Sequence, residues 1–75
     1  MELYVKQRGD AEPNIIRDPT ARENRSKFKS AVASVYGCLA AKVRVDEGVS
    51  FEGGLGADVG TTEAAALEFY VDVGG

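Results

Sequence analysis

Apolar and polar residues alternate over residues 1–7, where Leu3 and Val5 are flanked by polar positions. Successive side chains of a β-strand point to opposite faces, so this pattern predicts a strand with one buried face. Arg8-Gly9-Asp10 has the composition of a turn. The apolar pair Ile15-Ile16 lies between two prolines, which predicts a brief second strand at a sheet edge.

The next segment has the signals of a helix. Thr20 and Glu23 have the spacing of a capping box, which predicts a helix start at this point, and Asp18-Pro19 offers an alternative start slightly earlier. Glu23 and Lys27 form a favourable i,i+4 charge pair, and Gly37 predicts the helix end. The apolar stripe that should face the core consists of Phe28, Val32, Val35 and Leu39.

After the helix the period returns to two. Val43 and Val45 alternate with charged residues, as do Val49 and Phe51, and an Asp-Glu-Gly turn separates the two pairs. This arrangement predicts a hairpin. The glycine-rich residues 53–60 then predict a flexible connection rather than a phosphate-binding loop, because no Lys-Ser/Thr pair follows them.

The last alternating segment predicts a strand that shares a core with the first one. Its inward residues are Leu67, Phe69, Val71 and Val73. One helix laid across one face of a mixed sheet of four to five strands would bury these faces, which predicts an α+β, β-grasp-like fold. We expect one domain over residues 1–73, followed by a Gly74-Gly75 tail.

Composition removes most kinds of catalytic site. The chain of 75 residues has no histidine and one cysteine, Cys38, so it lacks the imidazole that serine and cysteine nucleophiles usually need and offers no histidine ligand to zinc. We expect no enzymatic activity, no metal and no cofactor. A lone cysteine in so short a chain favours a reducing, cytoplasmic location, and no apolar run approaches the length of a membrane span.

Charge is divided unevenly along the chain. Residues 1–44 hold all nine basic residues and five acidic ones, whereas residues 46–72 hold seven acidic residues and no basic one. This division favours an oriented contact with another protein over binding to nucleic acid, whose phosphates the acidic half would repel. The alternative is that the two halves neutralise each other within the fold. We expect the helix-region cations Arg17, Arg22, Lys27 and Lys29 to be exposed.

The two ends of the chain carry a resemblance to a known family. The opening residues, Met-Glu-Leu-Tyr-Val-Lys, are similar in length, alternation and residue type to the first strand of ubiquitin. The last strand runs into Gly74-Gly75, as in ubiquitin and in the sulfur carriers of thiamin and molybdopterin synthesis. With the same order of elements between its ends, the chain resembles a ubiquitin-like protein.

The resemblance implies that the Gly75 carboxylate is activated by an ATP-dependent adenylating enzyme. A tail without side chains suits this chemistry, because it must thread a narrow channel and present an accessible carbonyl. The product would be either a conjugate, made and removed with a conjugating enzyme or peptidase, or a thiocarboxylate sulfur donor. Asp72 stands where ubiquitin carries arginine, so we expect a dedicated activating partner. Its expected contact surface is Tyr4, Glu68, Tyr70 and Asp72.

Two other functions remain open. The acidic half could bind a basic site on another protein, as a phage-type inhibitor, an antitoxin or an accessory domain would do. Substitutions at Glu52, Glu68, Tyr70 or Asp72 would then weaken binding. The same sheet could also build an oligomeric structural protein. We expect a monomer or a small homo-oligomer, with neither nucleic acid nor membrane as a partner.

Overall fold

The computed structural model describes residues 2–72 and has one helix packed across one face of a four-stranded mixed sheet. The predicted α+β class is therefore confirmed. The strands are β1 (Leu3–Gln7), β2 (Asn14–Ile16), β3 (Val43–Val45) and β4 (Leu67–Val71), and helix α1 spans Arg25–Tyr36. Two short 3₁₀ helices, Pro19–Arg22 and Ala40–Lys42, precede α1 and β3.

The sheet has the order β2-β1-β4-β3. The two central strands, β1 and β4, are parallel, with Val5 opposite Leu67 and Gln7 opposite Phe69. Each central strand also pairs antiparallel with one edge strand, β1 with β2 and β4 with β3. The first and last strands, which were predicted to share a core, are thus parallel neighbours, and the predicted short edge strand at Ile15-Ile16 is confirmed.

The core lies between the central strands and α1. Leu3 and Val5 of β1, Phe69 of β4, and Phe28 and Val32 of α1 are each at most 1% exposed. Leu67 is also buried, and Val71 packs against the cluster from its edge. The alternation of β1 and β4 thus places the residues of both strands that were predicted to be inward against one side of the helix.

The predicted capping box is wrong, because two other residues cap this region. The Asp18 carboxylate accepts hydrogen bonds from the Thr20 hydroxyl (2.7 Å) and the Thr20 backbone N–H (2.9 Å), and these bonds hold the pKa of Asp18 below its ordinary value. Asp18 is therefore the N-cap of the first 3₁₀ helix, at the alternative start predicted for Asp18-Pro19. Asn24 Oδ1 accepts from Lys27 N at 2.8 Å and begins α1.

Other local predictions for the helix region are confirmed. Glu23 Oε1 lies 2.8 Å from Lys27 Nζ, as the i,i+4 spacing predicted. Gly37 ends α1 in the left-handed conformation, with φ of 70°. Its N–H and that of Cys38 both donate to the Ala33 carbonyl, which satisfies an otherwise free helix-terminal acceptor.

The predicted apolar stripe is correct in its first half only. Phe28 and Val32 are fully buried, but Val35 is 50% exposed and Leu39 is 68% exposed. Leu39 lies beyond the end of α1, so the helical spacing no longer positions it. The small residues Ala31 and Ala33 are buried instead, which lets α1 approach the sheet closely.

The hairpin predicted from Val43 to Phe51 does not form. Val43 and Val45 are in β3 as expected, but β3 pairs with β4, and residues 46–66 contain no strand or helix. Phe51 is nevertheless buried, with its ring centroid 5.4 Å from that of Phe28. Its alternating pattern reflects burial against α1 rather than strand pairing. The segment 46–66 is called the long loop below.

Replacing Phe28 with Ala should lower the free energy of unfolding by roughly 3–5 kcal/mol, because it removes a fully buried aromatic ring that packs on Phe51. Val35→Ala is the matched control on the same helix, and half of Val35 is already exposed, so its effect should be small. Urea denaturation monitored by circular dichroism measures both. Equal losses in the two variants would contradict the burial of Phe28.

The long loop returns to the sheet at Gly60. The Gly60 carbonyl accepts from Tyr4 N at 2.8 Å, and Gly60 N–H donates to the Ala65 carbonyl at 2.9 Å. Gly60 has φ of +68°, and a Cβ there would lie 2.3 Å from Leu3 Cδ1 and 3.0 Å from the Tyr4 carbonyl oxygen. Only glycine allows the loop to approach β1 so closely.

Gly60→Ala should therefore destabilise the protein by roughly 2–4 kcal/mol, since backbone strain and overpacking against the buried Leu3 side chain act together. Gly48→Ala is the control, because that glycine has nothing within 4 Å of an added Cβ and its φ lies outside the positive range. Thermal melts of both variants give the comparison. A Gly60→Ala protein as stable as the Gly48→Ala protein would disprove the close approach.

Candidate functional site

The sheet face opposite α1 carries the residues predicted to contact a partner. Because side chains alternate along a strand, the residues between the buried positions of β1 and β4 point away from the helix. Tyr4, Glu68 and Tyr70 occupy such positions and are partly exposed. The expected common outer face for the two tyrosines is therefore present, with Arg44 of β3 beside Tyr70.

Arg8 organises one half of this face. Its Nη2 lies 2.8 Å from Asp46 Oδ1 and its Nε lies 3.2 Å from Glu68 Oε1, while the guanidinium carbon sits 4.4 Å from the centre of the Tyr70 ring. The hydrogen bond to Glu68, followed by the contact with Asp46, raises the pKa of Arg8 above its ordinary value. We call Arg8, Asp46, Glu68 and Tyr70 the Arg8 cluster.

The Arg8 cluster is open to water, which determines what it contributes. The side chains of Arg8, Asp46 and Glu68 are 50%, 60% and 42% exposed, and ion pairs this exposed add little to stability. The main effect of these ion pairs is to fix the positions of the side chains. Arg8 covers one face of the Tyr70 ring and donates a hydrogen bond to the Glu68 carboxylate. Two of the residues predicted to contact a partner are thus already engaged within the chain.

Tyr4 lies apart from the Arg8 cluster. It is opposite Ile15 of β2 in the antiparallel register, and Lys6 and Glu68 separate it from Tyr70. At about 3.3 Å per residue, the four-residue offset between Tyr4 and Arg8, the residue over Tyr70, spans roughly 13 Å. The expected contact surface therefore contains two groups of residues on one face of the sheet, the Arg8 cluster and a Tyr4 patch formed by Tyr4 and Ile15.

The structure follows the chain toward its C-terminal tail as far as Asp72. The Asp72 N–H donates to the Lys42 carbonyl at 2.7 Å, and its carboxylate lies 3.6 Å from Arg44 Nη2. Asp72 thus extends the pairing between β4 and the start of β3. Gly74 and Gly75, the predicted activation residues, and Val73 lie outside the described residues.

The uneven charge of the two halves is only partly neutralised. Arg8 and Arg44 pair with Asp46, Glu68 and Asp72, so three of the seven acidic residues after residue 45 are matched by basic residues of the first half. The other four are exposed and make no ion pair within residues 2–72: Glu47, Glu52, Asp58 and Glu63. The unbalanced negative charge therefore lies on the long loop rather than on the sheet.

The prediction that all four helix-region cations are exposed is wrong for two of them. Arg17 and Lys27 are exposed, but Lys29 and Arg22 are partly buried. Arg22 Nη1 donates to the Gly56 carbonyl at 3.2 Å, so its side chain runs beneath the long loop instead of into solvent. No local pattern around Arg22 indicates this contact, because its partner is 34 residues away.

Neither Arg8 nor Asp46 was among the predicted site residues. Both lie in predicted turns, where charged residues are ordinarily solvated, and the chain separates them by 38 residues. Only the register of β1, β4 and β3 brings them together, so the available signal was the predicted order of strands. Combining the parallel pairing of β1 and β4 with the end of β3 would have placed Arg8 near Tyr70.

Further features bear on chemistry and location. Among residues 2–72 no three His, Cys, Asp or Glu side chains are grouped so that they could hold a metal ion. Cys38 is a partly exposed free thiol. No helix in the described part of the chain has the length and apolarity needed to cross a bilayer.

Comparisons with protein-family models, with curated proteins and with solved structures find no match to this chain. The candidate site is therefore defined by its own geometry: the Tyr4 patch, the Arg8 cluster and Asp72, the last of the described residues.

Proposed function

We propose that this chain is a ubiquitin-like modifier or sulfur carrier whose Gly75 carboxylate is activated by an ATP-dependent adenylating enzyme. The observation that carries the proposal is the central, parallel pairing of β4 with β1. It makes neighbours of the segment that resembles the first strand of ubiquitin and the segment that leads into Gly74-Gly75. β4 also lies in the middle of the sheet, one face of which α1 leaves uncovered.

The reaction needs little from the chain beyond a reachable carboxylate. An oxygen of the Gly75 carboxylate attacks the α-phosphorus of ATP, and pyrophosphate leaves. A thiolate of the partner then attacks the carbonyl carbon, and AMP leaves, so that a thioester forms. Because glycine has no side chain, Gly74 and Gly75 would leave the Gly75 carbonyl accessible during both steps. Attack of a target amine on the thioester gives a conjugate and releases the thiol of the partner. Attack of hydrosulfide from a sulfur donor gives a thiocarboxylate and releases the same thiol.

The partner would be recognised by the outer sheet face. Of the two groups of residues there, the Tyr4 patch supports this role better, since Tyr4 and Ile15 are partly exposed and neither makes a contact like that of Arg8 with Tyr70. Aromatic side chains that combine an apolar ring with a polar tip are favoured at such interfaces. The Arg8 cluster would form a polar rim beside it.

A second function is favoured by the long loop. Glu47, Glu52, Asp58 and Glu63 are exposed and have no cation to pair with in residues 2–72. An acidic binding protein would use these carboxylates against a basic site of its partner. The alternative thus rests on Glu52 and three neighbours, whereas Glu68 and Tyr70 are held by Arg8 and Asp72 by the start of β3.

Deleting Gly75 should abolish formation of an adenylate or thioester, because the new terminal carboxylate, that of Gly74, belongs to a tail that is one residue too short to reach the activating site. The assay incubates the protein with ATP and extract of its host, and intact-mass analysis detects the thioester, the thiocarboxylate or the conjugate. Omission of ATP is one control. A variant with one residue added after Gly75 is the second, since it keeps the whole chain and should also be inactive.

Both tail variants should melt at the temperature of the parent protein, because both keep every buried core residue of the described part of the chain, from Leu3 to Phe69. If a protein lacking Gly74 and Gly75 retains full biological activity in its host, the modifier proposal is wrong and the acidic binding protein becomes the working hypothesis.

Tyr4→Ala and a charge-neutral loop variant separate the two functions. For a modifier, Tyr4→Ala should raise the KM of the adenylating enzyme for this chain by roughly tenfold with kcat little changed, as expected for a lost docking contact. The combined changes Glu47→Gln, Glu52→Gln, Asp58→Asn and Glu63→Gln should have little effect. Steady-state pyrophosphate release measures both. The reverse pattern in partner binding would favour the acidic binding protein.

A further inference from the structure

The long loop is fastened to the helix side of the protein by two arginines that contact its backbone. Arg25 Nη2 donates to the Val49 carbonyl at 3.0 Å and lies over the Phe51 ring. Arg22 holds the next part of the loop twice: its carbonyl accepts from Leu55 N at 2.9 Å, and its Nη1 donates to the Gly56 carbonyl at 3.2 Å. Loops of this length in small domains commonly serve a function.

The Arg22 guanidinium is only partly satisfied by these contacts. Its Nε and Nη2 are sealed from solvent and have no hydrogen-bond partner within the described residues. These two nitrogens form one edge of the planar group, with two N–H bonds that point in parallel. A buried donor without an acceptor is costly, and more so when it is charged. Arg22 thus presents an unused, complete fork beneath the loop.

The carboxylates nearest along the chain do not fill this fork. Asp18 accepts from Thr20, and Glu23 pairs with Lys27. Within the loop, Glu52 and Asp58 are exposed and make no ion pair in the described part of the chain. The Gly56 carbonyl therefore satisfies one nitrogen of Arg22, and the edge that best matches an oxyanion has no acceptor within the described residues.

We propose that the Nε/Nη2 edge of Arg22 is a binding site for a small oxyanion, a phosphate or a carboxylate, and that residues 53–56 cover it. A parallel pair of N–H donors binds two oxygens of such a group at once, with better geometry than an ammonium can offer. The cover is held to Arg22 by two hydrogen bonds and by the partial packing of Leu55 on the core. The site is independent of the Gly74-Gly75 tail.

Gly54 is the position at which a substitution should open the cover formed by residues 53–56. A Cβ at Gly54 would lie 3.0 Å from the Arg22 carbonyl oxygen, so residue 54 packs directly on the backbone that the loop must leave. Gly54→Ala should push the cover away from Arg22. Oxyanion binding should then tighten, because less of the binding free energy is spent on opening the loop.

The experiment is a titration of the ¹⁵N-labelled full chain with inorganic phosphate, compared with sodium chloride at matched ionic strength and followed by amide chemical shifts. Phosphate should shift the amides of residues 53–56 saturably. Arg22→Lys keeps the charge but lacks the fork, and should weaken binding by roughly tenfold or more. Arg22→Gln should abolish it. Arg17→Lys, the control at an exposed arginine, should bind phosphate like the parent protein.

Sodium acetate at the same ionic strength tests the second source of the ligand. Saturable shifts with both anions assign the site to oxyanions in general, and shifts with phosphate alone assign it to phosphate. The proposal is overturned if phosphate produces no saturable shift at residues 53–56, or if Arg22→Gln, folded by its amide spectrum, binds as tightly as the parent, which would indicate an adventitious ion only. If Arg22→Gln fails to fold, Arg22→Lys and Gly54→Ala decide, and equal affinity in Arg22→Lys and the parent overturns it.

Discussion

The parallel contact between β1 and β4 is the constraint on which the rest of the structure depends. These strands supply Leu3, Val5 and Phe69 to the core, and α1 covers them with Phe28 and Val32. Because the central positions of the sheet are taken by the two ends of the described chain, β2 and β3 must lie at its edges. The chain passes from the edge strand β3 to its antiparallel neighbour β4 through the long loop.

Strong local signals were sufficient to predict the elements that form this centre. The predicted alternation in β1 and β4 is present in the structure because each strand has one solvent-facing side and one buried side. Gly37 ends α1 because residues other than glycine disfavour its left-handed conformation. The predicted helix start was wrong because several residues compete to cap this region. Asp18, Thr20 and Asn24 all have side chains that can cap, and spacing alone does not rank competing acceptors.

Predictions that required knowledge of distant partners were less successful. Val49 and Phe51 alternate as a strand would, yet Phe51 is buried by Phe28 without joining the sheet. A period of two records which side chains avoid water, and it does not record hydrogen bonding between backbones. The Arg8 cluster likewise depends on the register of three strands. The candidate site could therefore be predicted as a face of the sheet, but the place of Arg8 and Asp46 in it could not.

The arrangement of charge has a similar origin. The first half of the chain supplies cations to both sides of the sheet, Arg8 and Arg44 to the outer face, and Arg22 and Arg25 to the underside of the long loop. On the outer face the cations meet carboxylates, whereas under the loop they meet carbonyls. The Arg8 cluster is thus only partly neutralised, because one guanidinium meets two carboxylates. The exposed carboxylates of the long loop make no ion pair within the described residues.

The central pairing also constrains when the protein can fold during synthesis. Val5 and Leu67 are opposite one another and differ by 67 − 5 = 62 positions, so the middle of the sheet closes almost the whole described chain into a loop. Until β4 has left the ribosome, β1 lacks its central neighbour, and α1 can pack on only part of the sheet. Domains with such non-local contacts fold slowly. The nascent chain should therefore expose its apolar faces until β4 has been synthesised, which makes it a candidate for chaperone binding at that stage.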